Sequence, residues 1–200
     1  AIGSDVALMH LNGIAEKLKF KGLQNKAREM IEQIAADREL TPAQLADRLV
    51  PDLGLDERGS LALDFGPRQF TVSFDEMLRP FVRDADGVRL KDLPKPNSKD
   101  DAELASAASD TWKALKKDAK AIANLQVIRL EQAMVLQRRW TTEEFQQLFV
   151  EHPLTRHLTQ RLVWGIYDDA EKLTAAFRVA EDLSLLDAAD EDFALPADAR

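Results

Sequence analysis

Apolar positions recur at steps of three and four through the middle of the chain. Trp112, Leu115, Ala119, Ile122, Gln126, Arg129 or Leu130, Ala133 and Trp140 share one side of a single long helix. That side begins apolar and turns polar at Gln126 and Arg129. An inward-pointing arginine needs partners, because an unpaired buried charge is costly. Ser98 or Asp100 is expected to cap the helix, which begins well before Trp112. Thr141 then offers a second N-cap with Glu144 three residues on, the capping-box spacing. Phe145, Leu148 and Phe149 line one side of that helix, and His152-Pro153 stops it. A third helix is predicted from about Leu154, with Leu158, Leu162 and Val163 inward and Gly165 as its left-handed cap.

Upstream, Asp5 can cap a helix carrying Leu8, Leu11, Ile14, Ala15 and Leu18. A second helix follows the break at Phe20-Lys21-Gly22, with Leu23, Ala27, Met30, Ile31 and Ile34 inward. Thr41-Pro42 opens a third, short helix that keeps Leu45, Ala46 and Leu49 on its apolar side. Helices on such short links pack antiparallel. The group resembles the last turn of a helical-repeat array, whose outer face needs a preceding repeat.

The period then changes to two. Leu61, Leu63 and Phe65 alternate with Ala62 and Asp64, and Phe70, Val72 and Phe74 alternate with Thr71 and Ser73. An antiparallel hairpin across Gly66-Pro67 is predicted. Pro80–Arg83 forms a third strand, and Asp86-Gly87 turns the chain into Val88–Leu90. Beyond Gly165, Ile166-Tyr167 runs into an acidic loop. Ala176–Glu181 reads as a strand with Phe177 and Val179 on one side and Arg178 on the other. Ser184–Leu186 and Phe193–Leu195 are weaker strands. These C-terminal strands are expected to join the sheet begun at Leu61; the alternative is a separate C-terminal hairpin.

The predicted class is α+β: N-terminal helical-repeat (HEAT-like) helices, then an antiparallel sheet packed with a long-helix bundle. The predicted division is a helical-repeat-like stub over 1–51 and an α+β domain over 52–200. In the latter, strands lie near 60–90 and 175–195 and helices over 99–165. At 200 residues, 45% hydrophobic and 31% charged, the chain has the composition of a folded domain. No apolar run is long enough to span a bilayer, and no leader pattern opens the chain, so a cytoplasmic location is expected. The start, AIGSDVALM, reads as that of a fragment cut from a longer protein.

Charge narrows the chemistry. The net charge is −8, which opposes attraction of the whole surface to nucleic acid. From Lys113 to Arg139, seven Lys or Arg stand against two carboxylates; from Asp168 to Arg200, ten carboxylates stand against three basic residues. The basic helix and acidic tail are read as facing each other. A phosphate or nucleic-acid contact would use Lys113, Lys116, Lys117, Lys120, Arg138 and Arg139.

No catalytic residue is assigned. Cysteine is absent, no phosphate loop or Gly-x-Ser-x-Gly elbow occurs, and no cofactor is expected. His10, His152 and His157 lack ligand spacing, so no metal site is assigned. His152 is read as capping helix carbonyls and His157 as a surface residue. Asp187, Asp190 and Asp192 lack the glycine and bidentate glutamate of a calcium loop and read as a solvated turn. A ligand site, if built between long helix and sheet, would draw on Gln126, Arg129, Glu131, Arg139, His152, Arg161 and Arg178.

Several blocks carry a family resemblance. They are LADRLVPDLGLD from Leu45, LDFGPRQF from Leu63, DGVRLKDLP from Asp86 and WKALKK from Trp112. QVIRLEQAM from Gln126, Arg139-Trp140, His152-Pro153-Leu154 and RLVWG from Arg161 complete the set. Together they resemble an uncharacterised bacterial family of molybdate metabolism regulator-like (MolR-type) proteins, from about Leu45 to Leu195. The resemblance implies a large multidomain protein with helical repeats upstream and often a WGR domain elsewhere. It supplies no catalytic residues. The function expected is an interaction or scaffold module. Its partners would be other domains of the same polypeptide or another protein.

Overall fold

The computed structural model describes residues 20–75 and 77–196. The helix predicted from Asp5 lies outside them. The chain divides into two compact units, residues 1–51 and 52–200.

In the first unit, α1 (Lys21–Asp37) packs against α2 (Pro42–Arg48). Ala27, Ile31 and Ala35 meet Leu45 and Leu49, with Ile34 and Leu40 at the edge. Leu23 and Met30, predicted inward, are exposed; the buried side rotates toward Ala35 instead. α1 ends on Glu39 at φ 56°, where Leu40 N–H bonds Ala35 O and Glu39 N–H bonds Ala36 O. That is a Schellman ending built without glycine. α2 starts on the predicted cap: Thr41 Oγ1 accepts from Gln44 N–H, and Gln44 Oε1 accepts from Thr41 N–H.

The second unit holds two antiparallel sheets and the long helix. The first sheet runs β1 (Leu61–Asp64), β2 (Gln69–Phe74), β3 (Pro80–Arg83) and β4 (Arg89–Leu90) in that order. The hairpin register pairs Leu63 with Phe70 and Leu61 with Val72. Alternation therefore puts Leu63, Phe65, Phe70, Val72 and Phe74 toward one core. Over β1 and β3 lies α3 (Ala102–Val135), burying Ala105, Ala108, Trp112, Leu115, Ala119, Ile122, Gln126 and Ala133.

Asp101, not Ser98 or Asp100, caps α3: its Oδ1 accepts from Glu103 and Leu104 N–H at 3.0 and 2.9 Å. Its own N–H donates to Phe65 O, tying the helix start to the hairpin. Asp100 instead receives a two-pronged bond from Arg68, at 2.9 and 2.6 Å, with its side chain 1% exposed. That bond holds the Asp100 carboxyl below its ordinary range.

α3 stops earlier than predicted. Gln137 takes φ 50°, Arg138 N–H bonds Ala133 O, and Gln137 N–H bonds Met134 O. This second glycine-free Schellman ending puts Trp140 in a loop, not on the helix face. Then come α4 (Thr142–Phe145), a π-turn (Gln146–Val150) and α5 (Arg156–Thr159). Thr141 and Glu144 form the predicted capping box.

The predicted third helix is corrected. Only Arg156–Thr159 is helical, and β5 (Val163–Tyr167) begins where its last turn was expected. Val163 is 79% exposed, and Gly165 lies in a strand, not at a helix cap. β5 pairs with β6 (Leu173–Val179), which pairs with β7 (Leu185–Leu186). This is a sheet of its own, so the strands do not join the one begun at Leu61. Its core is aromatic: Phe145, Phe149 and Phe177, with Trp140, Trp164 and Phe193 packed around them.

Candidate functional site

The π-turn organises the second core. A π-turn displaces carbonyls from their usual partners, and such turns occur often at functional sites. Here Thr155 Oγ1 donates to Leu148 O at 2.6 Å, and Thr159 Oγ1 donates to Phe149 O at 3.0 Å. Arg156 adds a guanidinium. Its Nη1 donates to Glu57 O at 2.7 Å, Nη2 to Glu151 O, and Nε to His152 O at 3.3 Å. The sequence reading passed over Arg156 because nothing local marks an arginine whose partners are backbone carbonyls.

His152 caps amides, not carbonyls: its Nδ1 accepts from Leu154 and Thr155 N–H at 3.2 and 3.3 Å. His157 is not a surface residue. Its ring lies 5.7 Å from that of Phe74, and its Nε2 is buried. A Cβ at Gly59, where φ is 74°, would stand 2.7 Å from Pro153 O and 3.0 Å from His157 Nε2, so glycine is required there. Burial holds the His157 pKa below its ordinary 6.5, the Arg156 charge adds to this, and the Gly59 backbone opposes it.

The unfolded chain binds the His157 proton more readily than the folded one, so this stabilisation is complete above about pH 6.5 and lost as pH falls. Urea midpoints measured from pH 8 to pH 5 should therefore decline, and decline less in His157→Phe. Equal slopes in the two chains would contradict the assignment.

Beside the aromatic core a cavity of about 560 Å³ opens between the end of α3, the Arg138–Trp140 loop and β5. Val127, Leu130 and Met134 supply one wall, and Trp140, Trp164 and Tyr167 the other. Trp140, Phe149 and Trp164 pack with centroids 4.9 to 6.1 Å apart, and Trp164 Nε1 donates to Thr159 O at 3.1 Å. The Arg139 guanidinium lies 3.8 Å over the Tyr167 ring, and that of Arg138 lies 4.9 Å over Trp140.

Of the residues predicted for a ligand site, Glu131, Arg139 and Arg161 line this cavity, with Arg138 beside them. The other four lie outside its lining. Gln126 is buried on the inner face of α3, with its Oε1 lacking a hydrogen-bond partner. Arg129 is half-buried on the same helix. His152 serves α5, and Arg178 pairs with Asp190 at 2.9 Å.

The predicted basic stripe is also divided. Lys113 pairs with Asp110, and Lys116 pairs with Asp92, which also accepts from Trp112 Nε1 at 2.6 Å. The partners of these lysines are therefore not in the acidic tail. Burial pushes the Asp92 carboxyl up, but the Trp112 and Lys116 bonds outweigh it and hold it low. Lys117 and Lys120 are exposed. Arg138 and Arg139 sit at the far end of α3, about 30 Å along the axis from Lys113. Among the described residues, no group of three or more His, Asp or Glu could hold a metal ion. Among them, too, no helix is long and apolar enough to cross a membrane.

Comparison with known proteins gives three findings. The family described as Domain of unknown function (DUF4132) matches residues 87–200. A curated relative, the uncharacterized protein YehI of Escherichia coli (strain K12), is 45% identical over 200 residues. The match covers 99% of this chain but 16% of that relative, so the chain spans about a sixth of the relative's length. No solved structure matches.

Proposed function

This chain belongs to the family described as Domain of unknown function (DUF4132), and from that premise we propose that it is a non-enzymatic interaction module that docks a protein segment. One observation carries the reading. Met134, Val135 and Leu136, at the tip of α3, are 74%, 76% and 77% exposed, and Met134 lines the apolar cavity. Three exposed apolar residues in succession beside an apolar groove are a feature of surfaces that a partner covers.

The wider setting is part of the proposal. The module belongs to a larger, cytoplasmic, regulator-like bacterial protein of the molybdate metabolism regulator-like type, one that often carries a WGR domain elsewhere. The α1–α2 pair belongs to the last turn of a HEAT-like repeat array, of which residues 1–51 are a stub, and residues 52–200 are the α+β domain. The resemblance blocks and the length of the relative support this. Other domains of that polypeptide, or another protein, are the partners. A second reading, a ligand site, is favoured by one observation: Glu131, Arg139 and Arg161 share a cavity. Nucleic-acid contact has less support, since Lys113 and Lys116 already hold carboxylates.

A photo-cross-linker placed at Leu136 tests the docking reading, with one at exposed Lys120 as control. Cross-links to a protein segment should form from Leu136 alone, and Met134→Asp should abolish them. Equal capture from both positions, or cross-links unaffected by Met134→Asp, would overturn it.

A further inference from the structure

The first sheet buries one face and turns the other to solvent. On the solvent face a row of side chains crosses three strands. Thr71 on β2 stands opposite Arg83 on β3, and Arg83 stands opposite Arg89 on β4. All three are exposed, whereas Val72 and Val82, next to them in sequence, are buried on the other face. Two guanidinium groups are thus held in register side by side, with a hydroxyl beside them.

Such a pair works against folding, because like charges directly opposite each other destabilise a ladder. Ion pairs would relieve the repulsion, yet among the described residues neither arginine forms one. Carboxylates are not scarce in a chain with 35 Asp or Glu against 27 Lys or Arg. Two of them stand in the turn between these arginines. Asp84 Oδ1 instead accepts from Asp86 and Val88 N–H at 3.1 and 2.9 Å, and Asp86 holds neither guanidinium. Protection of a sheet edge accounts for a charge on β4, but Arg83 lies on an inner strand. What holds the two groups is a ring: Phe81, on β3, has the Arg89 guanidinium 4.0 Å and that of Arg83 5.1 Å from its centroid. Arg83 Nη1 also donates to Gly87 O at 2.8 Å. These contacts order both side chains but supply no negative charge. They leave Nε and Nη2 of Arg83, and every N–H of Arg89, without an acceptor among the described residues.

We propose that Arg83, Arg89 and Thr71 bind the phosphate group of a small molecule, a phosphate monoester or a diphosphate. Three observations choose that class. Two adjacent guanidinium groups match the double charge and several oxygens of a phosphate, where one carboxylate would occupy a single fork. The net charge of −8 opposes the approach of a long polyanion. Phe81 carries Arg89 and does not offer its ring to a stacked base. The site uses none of the residues of the docking reading and stands or falls apart from it.

Heteronuclear NMR of the arginine side-chain Nε–H signals tests this, with pyrophosphate as the probe at constant ionic strength. The Arg83 and Arg89 signals should move along a saturating curve, while that of Arg68, closed on Asp100, stays in place. Arg83→Gln and Arg89→Gln should each weaken binding roughly tenfold, the worth of one hydrogen bond to a charged group. Thr71→Val should weaken it by about threefold. Acetate and a single-stranded oligothymidylate should both bind more weakly than pyrophosphate. Arg89→Gln should leave the urea midpoint unchanged or raise it, because it removes the repulsion across the ladder. A shift that never saturates and is equal at exposed Arg79 would show charge screening alone and overturn the site. Acetate binding as tightly as pyrophosphate would give the row to a carboxylate, and tighter binding of the oligonucleotide would give it to nucleic acid; either result overturns the proposal. So would unchanged binding in Arg89→Gln, or a clear fall in its urea midpoint, since the pair would then be a structural clamp.

Discussion

Arg156→Met should cost about 3–5 kcal/mol of stability, read as a lower urea midpoint and a Tm about 10 °C lower. Arg156 is 7% exposed, and its guanidinium joins three carbonyls, those of Glu57, Glu151 and His152. Glu57 lies 99 residues earlier, so one side chain ties the loop before β1 to the segment that opens α5. Methionine keeps the unbranched stem but supplies no donor, and buried carbonyls without partners each cost about 1–3 kcal/mol. Removing the cation also recovers its desolvation, the leading influence on Arg156, which the Asp56 and Glu151 charges oppose. That recovery is why the expected loss stays below the sum of three orphaned carbonyls. Arg156→Lys should restore only part of it, because one ammonium cannot fork between Glu57 and Glu151. A loss under about 1 kcal/mol would mean that water takes the place of the guanidinium.

The parts of the fold that declared themselves in sequence are those with local signals. Leu63 and Phe70 face each other because alternation and the Gly66-Pro67 turn both specify that register. Asp86-Gly87 turns β3 into β4, and Thr41 and Thr141 cap the helices they precede. The inner face of α3 was readable from Trp112 to Ala133 because six turns of spacing outvote single exceptions such as Gln126.

The misread parts are those where two periods compete or where partners are distant. Leu154, Leu158 and Leu162 step by four, as a helix would. Yet Val163-Trp-Gly-Ile-Tyr is a β-branched and aromatic run, and it is the strand that forms. Gln137 ends α3 in the left-handed region with no glycine or proline to announce it. Which sheet a strand joins depends on contacts that no window along the chain contains, so β6 and β7 were placed in the sheet begun at Leu61 instead of one of their own. The candidate site divided for the same reason. Once α3 stops at Val135, Arg138 and Arg139 turn back over Trp140 and Tyr167, toward Glu131 and Arg161. Gln126 and Arg129, higher on the helix, stay with its packed face. Arg178 faces the acidic turn that holds it.

Phe149→Ala should cost about 3–5 kcal/mol, the range for emptying a fully buried aromatic site. Phe149 is 1% exposed and packs against Trp140, Phe145 and Trp164 with centroids 4.9, 5.9 and 5.1 Å away. Phe65→Ala offers the contrast. Phe65 is equally buried but packs against Phe70 under the first sheet, so it should cost as much and leave the Trp140 and Trp164 emission unchanged. In Phe149→Ala that emission should shift to the red, because both indoles lose their shared neighbour and the cavity wall they form relaxes. Phe149 and Arg156 also act on one segment: the Phe149 carbonyl is held by Thr159, in the helix that Arg156 anchors. Combining Phe149→Ala with Arg156→Met should therefore cost less than the two losses added, by about 0.5–3 kcal/mol. Losses that simply add would show that the π-turn and α5 melt independently. The segment from Gln146 to Thr159 would then not be the single cooperative support on which the groove is built.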